Sequence, residues 1–517
     1  MKTIKYISLL AVTVSVLLTS SCSDWLTVYP QNAQASDVYW QSKDDVEAVV
    51  VAGYFYLREM CIDYLIPWGE LRSGAIFDAW GSNELQRFQI RSTTKANSNW
   101  GPLYQIINIA NVVLANAGKV LETDATYKVE EMNAHICEAY FLRALCYFYI
   151  VRNWREAPLA TEPYEDDSYS YHITKASEEQ LIAQIKSDIV TALATGAAKE
   201  FFGTNWETKG RATQWAFYAL MADVCLWSED YNTAYEYCNR LLEANSPRKP
   251  VFMYTPTHSS WFSMFNPGNS NESIFEIQWN YEERQTNMLP AYFDNLSVDR
   301  KYEISRRLLF DFNEEYNATE SSGKEAVRTM FGGYYVDSPV AYETASRGYV
   351  WKYCGSQTLS DKRTRTYYDP NFIIYRVADV LLMKAEALIL RNPAGSEADW
   401  QEAIDIMNEI RLRSNLEKLE YTPNLTDEDM LRMLLHERRM ELVGEGKSWY
   451  DILRFGRRHN NKFKLTFLVS NVLNDNEQAS ESWLTSVLNN DDALFLPVWE
   501  EELKVNPLLT QNPYYQF

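Results

Sequence analysis

Apolar residues recur every three or four positions along most of the chain, the spacing that places them on one face of an α-helix. Runs of this spacing predict helices over residues 44–60, 104–121, 129–154, 177–193, 213–227, 231–242, 372–390, 398–412, 426–443 and 449–455. Strand-like alternation is confined to short pieces such as residues 273–279. The pattern predicts a mostly α fold.

Neighbouring helices in this set match the spacing of tetratricopeptide repeats, in which two short antiparallel helices pack closely. Small residues at Ala222 and Ala234 fall where the paired helices of such a repeat approach each other. The matching positions are Tyr218, Met221, Ala222 and Cys225 with Ala234, Cys238 and Leu241; Leu381, Lys384, Ala385 and Leu388 with Ala403, Met407 and Ile410; and Ala139, Ala144 and Tyr147 on a further helix. Together they predict a tetratricopeptide-like helical-repeat scaffold.

Residues 246–370 differ from the rest of the chain, because Pro, Gly, Asn, Ser and aromatic residues dominate and the helical periodicity is weak. This composition predicts long loops with short hairpins, inserted between two helical parts. Long loops on a helical scaffold are usually functional. We therefore divide the chain into an N-terminal helical part, residues 22–245, and a C-terminal part, residues 246–517, that begins with the loop-rich insertion.

The first residues have the pattern of a bacterial lipoprotein signal peptide. Lys2 and Lys5 precede an apolar stretch at residues 7–18, small residues follow, and Cys22 comes next. Such a stretch is too short to span a bilayer in the usual way. The pattern predicts a signal peptide over residues 1–21 and lipid on Cys22, although Thr19 stands where these signals prefer Leu. The alternative is an ordinary secretory signal with an incidental Cys.

Charge and cysteine content remove several function classes. The chain has 70 Asp and Glu against 49 Lys and Arg, a formal net charge of −21, so it repels phosphate backbones and a nucleic-acid binder is excluded. No Cys-x-x-Cys pair occurs, and the cysteines after Cys22 have the apolar neighbours of buried free thiols. These are Cys61, Cys137, Cys146, Cys225, Cys238 and Cys354. A disulfide framework and a cysteine-based zinc site are not expected.

Motifs of enzymes are absent from the sequence. It contains no His-Glu-x-x-His, no Gly-x-Ser-x-Gly, no phosphate-binding Gly-rich loop and no dinucleotide fingerprint. The five His residues are scattered, and His135 and Cys137 point in different directions on a helix. The sequence therefore predicts no catalytic residue, no metal site and no cofactor.

Two aromatic, polar segments are the candidates for ligand binding. A sugar ring has an apolar C–H face that packs on Trp or Tyr and hydroxyls that hydrogen-bond to Asp, Asn, Gln and Arg. Residues 64–100 and 260–292 offer this mixture. The ligand-binding candidates are Asp78, Trp80, Asn83, Trp279, Tyr281, Arg284 and Tyr292. Trp80 is favoured for its turn-rich context, whereas Trp68 and Trp100 abut apolar runs and are expected in the core.

A set of motifs runs along the whole chain, at residues 23–30, 38–40, 44–45, 52–54, 100–111, 138–145, 157–159, 375–387, 437–442, 445–446, 449–454, 496–497, 506–507 and 511–513. In these motifs the chain resembles the SusD/RagB family of outer-membrane lipoproteins of Bacteroidetes. Thr27 stands where the family usually has Asp. The resemblance implies a SusD-like fold and a cell-surface lipoprotein that captures oligosaccharides for a SusC-like TonB-dependent transporter, without cleaving them.

The charged residues of the 437–454 stretch have a structural interpretation. Glu437 and Glu441 share a helix face, with Arg438 beside them and Arg454 on the next helix, so bidentate pairs could lock two helices together. The alternative, a catalytic carboxylate pair, is disfavoured because nearby arginines keep carboxylates ionised.

Two other function classes stay open. A binder of peptides would use a basic or apolar concave groove, and some members of the family serve peptide import. A helical glycoside hydrolase would need two carboxyl groups roughly 5 to 10 Å apart across a cleft.

Overall fold

A computed structural model describes residues 39–165, 170, 172–254, 256–294, 297–329, 350–356, 361–392 and 394–516. Of the structure, 60% is helix and 5% is strand, so the predicted mostly α fold is confirmed. The described residues contain eleven helices of twelve residues or more. These are α1 (Lys43–Met60), α2 (Gly101–Thr123), α3 (Val129–Trp154), α4 (Glu178–Ala194), α5 (Gln214–Trp227), α6 (Tyr231–Leu242), α7 (Arg306–Ser321), α8 (Val377–Leu390), α9 (Glu397–Arg413), α10 (Asp427–Glu441) and α11 (Ser448–Asn461).

The remaining helical segments are single turns or little more. The short α-helices are Ile66–Glu70, Glu84–Arg87, Lys95–Ser98, Asn205–Gly210, His258–Phe262, Leu289–Tyr292, Trp351–Cys354, Ser470–Asp475, Glu481–Leu488 and Glu500–Val505. Turns of π-helix lie at Cys61–Leu65 and Lys464–Val469, and 3₁₀ turns at Leu71–Ser73, Tyr281–Glu283, Arg365–Tyr367, Asp492–Leu494 and Pro513–Tyr515.

Helix starts follow side-chain caps that the sequence supplies. Ser177 accepts a hydrogen bond from the N–H of Gln180, and Gln180 bonds back to the Ser177 N–H, which forms a capping box at α4. Thr213 and Asp230 cap α5 and α6 through one hydrogen bond each, which the side-chain oxygen accepts from a backbone N–H of the first turn. These caps satisfy amides that a helix start leaves unpaired.

The repeat pairs predicted from sequence are present. Helices α5 and α6 follow each other after a three-residue turn, and Ala222 and Ala234 are fully buried. Helices α8 and α9 form the second pair. Every residue of α8 is buried, including the charged Asp379, Lys384 and Glu386, so this helix lies at the centre of the helical scaffold.

Three short antiparallel ribbons join parts of the chain that are distant in sequence. Strand β1 (Ile76–Asp78) pairs with β5 (Tyr302–Ile304), β2 (Ala157–Pro158) with β3 (Lys175–Ala176), and β4 (Ser273–Ile277) with β6 (Phe372–Arg376). The predicted helix over residues 372–390 is wrong in its first turn, because residues 372–376 pair with β4. The prediction of strand at residues 273–279 is confirmed for β4.

The insertion holds more helix than its composition suggested. Helix α7 occupies sixteen residues of the segment that was predicted as loops, and Ser305 caps it by accepting from the Leu308 N–H. One hydrophobic core cluster includes residues from both parts of the chain, among them Trp68, Leu145, Leu382 and Trp449. The domain boundary after residue 245 stays a prediction.

All six cysteines among the described residues are buried and free, as predicted. Among the described helices, only α3 is long and apolar enough to cross a membrane, and 83% of its most apolar window is buried inside the protein. Cys22 and the predicted signal peptide lie outside the described residues.

Candidate ligand-binding surface

The ribbon of β1 and β5 brings two loops of the candidate site together. Asp78, the last residue of β1, lies opposite Tyr302, the first residue of β5. Beyond them, the Ala79 N–H donates a 2.8 Å hydrogen bond to the Lys301 carbonyl. Residues 79–81 therefore lie beside residues 299–301, which are more than two hundred positions away in sequence.

A tight turn presents Trp80 at the end of β1. The Gly81 N–H donates to the Asp78 carbonyl at 3.0 Å, which closes a four-residue turn, and Gly81 has φ of 68°. The Trp80 N–H donates to the Asp78 carboxylate at 2.9 Å. Burial raises the pKa of Asp78, although this hydrogen bond opposes the effect. Asp78 thus shapes the turn and is itself 9% exposed.

The Trp80 ring is exposed but held in place. Its relative exposure is 70%, the largest of any exposed aromatic side chain in the described residues. The indole Nε1–H donates to the backbone carbonyl of Arg300 at 3.0 Å. This bond orients the ring before any ligand arrives, which lowers the entropy cost of binding on it.

Tyr292 and Lys301 border the Trp80 turn. The Lys301 N–H donates to the Tyr292 carbonyl at 3.0 Å, and the Lys301 ammonium lies 4.9 Å from the Tyr292 ring centroid. The same ammonium is 3.9 Å from a carboxylate oxygen of Asp63, whose side chain is 71% exposed. We call Asp63, Trp80, Tyr292 and Lys301 the Trp80 surface.

Tyr281 reaches this region through a second chain of contacts. Its ring meets the edge of Tyr367 with centroids 4.6 Å apart, and its N–H donates to the Asp369 carboxylate at 3.2 Å. Arg365, two residues before Tyr367, pairs with Asp299 at 2.9 Å, next to Arg300. Tyr281 and the Trp80 surface are therefore connected through the 297–302 and 362–369 loops.

Trp279 is a correction to the predicted site. Its side chain is only 6% exposed, because it follows the fully buried strand β4 and packs in the core cluster. A buried ring offers no face to a ligand. Trp68 and Trp100 are buried as predicted, at 0% and 2% exposure.

Asn83 and Arg284 have local roles in the structure. The Asn83 carboxamide oxygen accepts from the Leu85 N–H at 2.9 Å and caps the short helix Glu84–Arg87. Arg284 is exposed at the end of the 3₁₀ turn Tyr281–Glu283, with φ of 58°. No contact in the described part of the chain links Arg284 to the Trp80 surface.

Sequence reasoning missed Lys301, Asp299, Arg365 and Tyr367. The run Arg363-Thr364-Arg365-Thr366-Tyr367-Tyr368 in the insertion was a usable signal, since it combines guanidinium groups with adjacent aromatic rings. Lys301 carried no local signal, because its position depends on the pairing of β1 with β5.

Carboxylates of the 437–454 stretch belong to a buried ionic network. The Arg376 guanidinium lies 2.8 Å from Glu441, 3.0 Å from Glu445 and 3.1 Å from Glu272. Glu437 pairs with Arg328 at 2.9 Å. Burial alone would raise the pKa of Glu441, but Arg413, Arg376 and Arg328 hold it far below its usual range.

The predicted role of Arg438 and Arg454 in holding helices together is confirmed. Their carboxylate partners, however, are residues other than Glu437 and Glu441. Arg454 binds Glu386 of α8 through two hydrogen bonds of 2.9 and 2.8 Å. Arg438 pairs with Asp451 of α11 at 2.8 Å. Glu437 and Glu441 instead meet arginines from other segments. These contacts with several arginines fit a structural role for both glutamates.

One cluster of described residues has the donor set of a metal site, namely Glu315, His436 and Glu437. Arg328 donates to both carboxylates, to Glu437 at 2.9 Å and to Glu315 from its Nε at 2.9 Å. The guanidinium already supplies the positive charge there, so the cluster fits an ionic network.

Fold and surface together define a class: a helical-repeat protein that displays an oriented aromatic ring beside polar loops. Residues 294–515 match the model of the SusD family, and residues 24–226 match the model described as "Starch-binding associating with outer membrane". The chain belongs to the SusD/RagB family.

Individual relatives match most or all of the chain. A SusD-like protein of Formosa agariphila is 23% identical over 100% of both chains, and a SusD-like protein of Bacteroides ovatus is 24% identical over 87% of this chain and 82% of its own. A SusD superfamily structure from Bacteroides thetaiotaomicron has a TM-score of 0.71 at 20% identity, covering 92% of this chain and 99% of its own. A structure described as a laminarin-binding SusD-like protein has a TM-score of 0.67 at 21% identity, covering 92% of this chain and 100% of its own. At these identities the structures show the shared fold.

Proposed function

We propose that this protein binds oligosaccharides on the Trp80 surface and delivers them to a SusC-like TonB-dependent transporter in the outer membrane. The observation that carries the proposal is the Trp80 ring, which is 70% exposed and fixed by its bond to Arg300. An exposed indole held in one orientation offers a sugar a preformed apolar face. The laminarin-binding neighbour and the starch-binding family description support a glycan as that partner.

Binding uses the two faces of a sugar. The indole packs against the C–H face, while the hydroxyls meet the Lys301 ammonium and the Asp63 carboxylate. Tyr281 and Tyr367 extend the aromatic surface along a longer chain, with Arg284 exposed at the end of the same turn. An open surface of this kind buries little of a hydrated sugar, so the affinity for one sugar unit is modest.

Capture without cleavage is part of the proposal. A glycosidase needs one carboxyl group kept protonated and a second one ionised across the scissile bond. Around the Trp80 surface, Asp299 is paired with Arg365, Asp294 with Lys362 at 2.8 Å, and Asp78 is bound within its own turn. These three carboxylates are engaged in holding the loops. Asp63 is left as the one carboxylate among the four residues of the Trp80 surface, whereas hydrolysis needs two.

Attachment to the membrane rests on the N-terminal pattern. Lipid on the sulfur and amine of Cys22 would hold the chain at the outer membrane, since more than one acyl chain gives stable anchoring. The family description places its members in association with the outer membrane. We propose a cell-surface location for this chain on that basis.

The test uses the soluble protein lacking residues 1–22 and a panel of plant, host and microbial polysaccharides that includes starch and laminarin. Retardation in glycan-containing native gels and release of reducing ends are followed together. We expect retardation without new reducing ends. New reducing ends would identify a hydrolase, and binding of peptides in place of every glycan would favour the peptide-import class.

Delivery is tested separately in the membrane. The full chain, purified from its own outer membrane in mild detergent, should co-purify with a TonB-dependent transporter. A Cys22→Ala variant should be lost from the membrane fraction. Retention of this variant in the membrane would contradict the lipid anchor.

A further inference from the structure

Helix α1 has an apolar stripe on its solvent side, in addition to the stripe that faces the core. Val46, Val50 and Leu57 are buried, as an amphipathic helix requires. Val51 and Phe55 lie on the other side and are 47% and 44% exposed. Val51 and Phe55 therefore present apolar surface on a side of α1 that the core does not cover.

Phe55 borders a cleft of about 420 Å³, a volume within the range of small-molecule sites. Across the cleft lies Trp206, 39% exposed, on the short helix Asn205–Gly210. The loop after β4 contributes Gln278, Glu283 and Gln285. We call this the α1 cleft; it shares no residue with the Trp80 surface.

The lining of the α1 cleft is held in place by hydrogen bonds. The Gln278 side-chain N–H donates to the Trp206 carbonyl at 2.8 Å, which ties the loop to the short helix. Thr204 and Glu207 form a capping box that fixes the start of this helix next to Trp206. The Arg58 guanidinium lies 5.4 Å from the Phe55 ring centroid. The aromatic and polar groups are therefore oriented before a ligand binds.

The chemistry of the lining fits an uncharged ligand that is rich in hydroxyls. Two partly exposed aromatic rings face groups that donate and accept hydrogen bonds, namely the amides of Gln278 and Gln285. Arg58 and Glu283 contribute opposite charges that cancel. Glu276, at the base of the cleft, accepts from Asn371 at 2.6 Å and is balanced by the buried Lys209. A sulfated or carboxylated ligand would find no net positive charge.

The loop of residues 278–285 connects the α1 cleft with the region of the Trp80 surface. Tyr281 contacts Tyr367, whereas Gln278, Glu283 and Gln285 line the cleft. A glycan chain that leaves the Trp80 surface along Tyr281 meets the cleft across the same loop. A second attachment point on one chain raises the overall affinity through effective concentration.

We propose that the α1 cleft, between Phe55, Trp206 and the 278–285 loop, is a second binding site for neutral oligosaccharide. This inference rests on the proposed function and specifies it, because it assigns the ligand class as uncharged glycan and adds a second contact region. It also predicts that short and long glycans bind differently.

The test compares variants of the protein lacking residues 1–22 in affinity gels. The probe is the neutral polysaccharide of the panel that retards the wild type most strongly. We expect Phe55→Ala and Trp206→Ala each to weaken retardation roughly fivefold, the effect of truncating one contributing aromatic side chain. Phe55→Tyr keeps the ring and should bind as the wild type does. Leu465→Ala, a 69% exposed position outside the cleft, is the matched control.

The chain length and the charge of the polysaccharide probe provide two further tests of the α1 cleft. A chemically sulfated form of the same polysaccharide should lose retardation relative to the neutral form. Loss of affinity on shortening the glycan should be smaller in Phe55→Ala than in the wild type. If Phe55→Ala lowers the melting temperature, weaker binding by this variant could reflect a loss of folded protein. Trp206 lies on a separate short helix, so Trp206→Ala then tests the α1 cleft independently.

The outcomes separate this inference from the proposed function. Unchanged retardation in Phe55→Ala and Trp206→Ala, combined with loss in Trp80→Ala, would overturn the second site alone. Stronger retardation by the sulfated probe would overturn the assignment to neutral glycans. If no polysaccharide retards the wild type, the proposed function fails and this inference fails with it.

Discussion

The indole nitrogen of Trp80 donates a 3.0 Å hydrogen bond to the backbone carbonyl of Arg300, across 220 positions of sequence. This bond joins the turn after β1 to the loop before β5. It makes an exposed aromatic ring part of a fixed surface, and that surface is the basis of the proposed function.

Removal of the Trp80 ring tests this surface directly. Trp80→Ala should weaken binding of the retarding polysaccharide by about tenfold, equal to about 1.4 kcal/mol, because the platform for the sugar C–H face is lost. The melting temperature should change by only a few degrees, since a 70% exposed side chain contributes little to the core. Affinity gels and thermal unfolding measure the two effects.

Tyr254→Ala is the control for the Trp80 variant. Tyr254 is an aromatic residue of comparable exposure, 53%, and its ring lies against Phe252. Its removal should leave binding unchanged. Equal binding by Trp80→Ala and the wild type would take Trp80 out of the site.

Sequence reasoning succeeded where the determining interactions are local. The periodicity of residues 129–154 and 231–242 matches α3 and α6 at both ends. Trp80 was also accessible, because Asp78 and Gly81 define its turn within four residues. Periodicity and turn chemistry depend only on residues that are close in sequence. The bounds of α3 and α6 and the Trp80 turn depend on the same residues, so the sequence could predict them.

Features that depend on distant pairing were missed or misjudged. Residues 372–376 continue an apolar run into α8, and only their pairing with β4, about a hundred residues earlier, makes them a strand. Trp279 has polar neighbours, yet it lies two residues beyond the fully buried β4 and is buried with it. Phe55 was not predicted as a binding residue, because the helix over residues 44–60 was expected to have a single apolar face that packs in the core.

Arg376 is the residue on which we expect stability to depend most clearly. Arg376→Met would remove the one cation that contacts Glu272, Glu441 and Glu445 together. Arg413 and Lys352 would remain, and the buried network would be one positive charge short. Breaking a buried ionic group from one side costs about 3–5 kcal/mol in the free energy of unfolding. Urea unfolding monitored by circular dichroism measures this loss.

An exposed ion pair provides the comparison for Arg376→Met. Arg432 pairs with Glu428 at 2.7 Å, and their side chains are 59% and 39% exposed. Arg432→Met should change the free energy of unfolding by less than about 1 kcal/mol. Similar losses in the two variants would show that the buried network contributes no more than a surface pair.

Thiol accessibility tests the packing of the cysteines. Six free cysteines are buried, and burial raises the pKa of the Cys225 thiol to about 12. Protein lacking residues 1–22 should not react with a thiol reagent at pH 8 when folded, because buried thiols are protonated and inaccessible. In denaturant all six should react at once, as measured by absorbance. Fewer than six reactive thiols after denaturation without reductant would indicate a disulfide.

Glu70 predicts a pH dependence of stability with an unusual sign for a carboxylate. It is fully buried and accepts hydrogen bonds from the Gly446 N–H at 2.6 Å and the Ser448 hydroxyl at 2.6 Å. These bonds favour the ionised form, but burial outweighs them and raises the pKa of Glu70 from 4.5 to about 7. Between these values the folded state keeps a proton that the unfolded state has lost, so this residue lowers stability as pH rises.

Glu70→Gln should remove this dependence, since the amide stays neutral and its oxygen still accepts from the Gly446 N–H. The free energy of unfolding of the variant, relative to the wild type, should rise by about 3 kcal/mol between pH 5 and pH 8, at 1.36 kcal/mol per pKa unit. Urea unfolding at both pH values measures the difference, and Glu428→Gln controls for the loss of one surface charge. A relative stability that stays constant or falls over this range would mean that the hydrogen bonds from Gly446 and Ser448 overcome burial and keep Glu70 ionised in the folded protein.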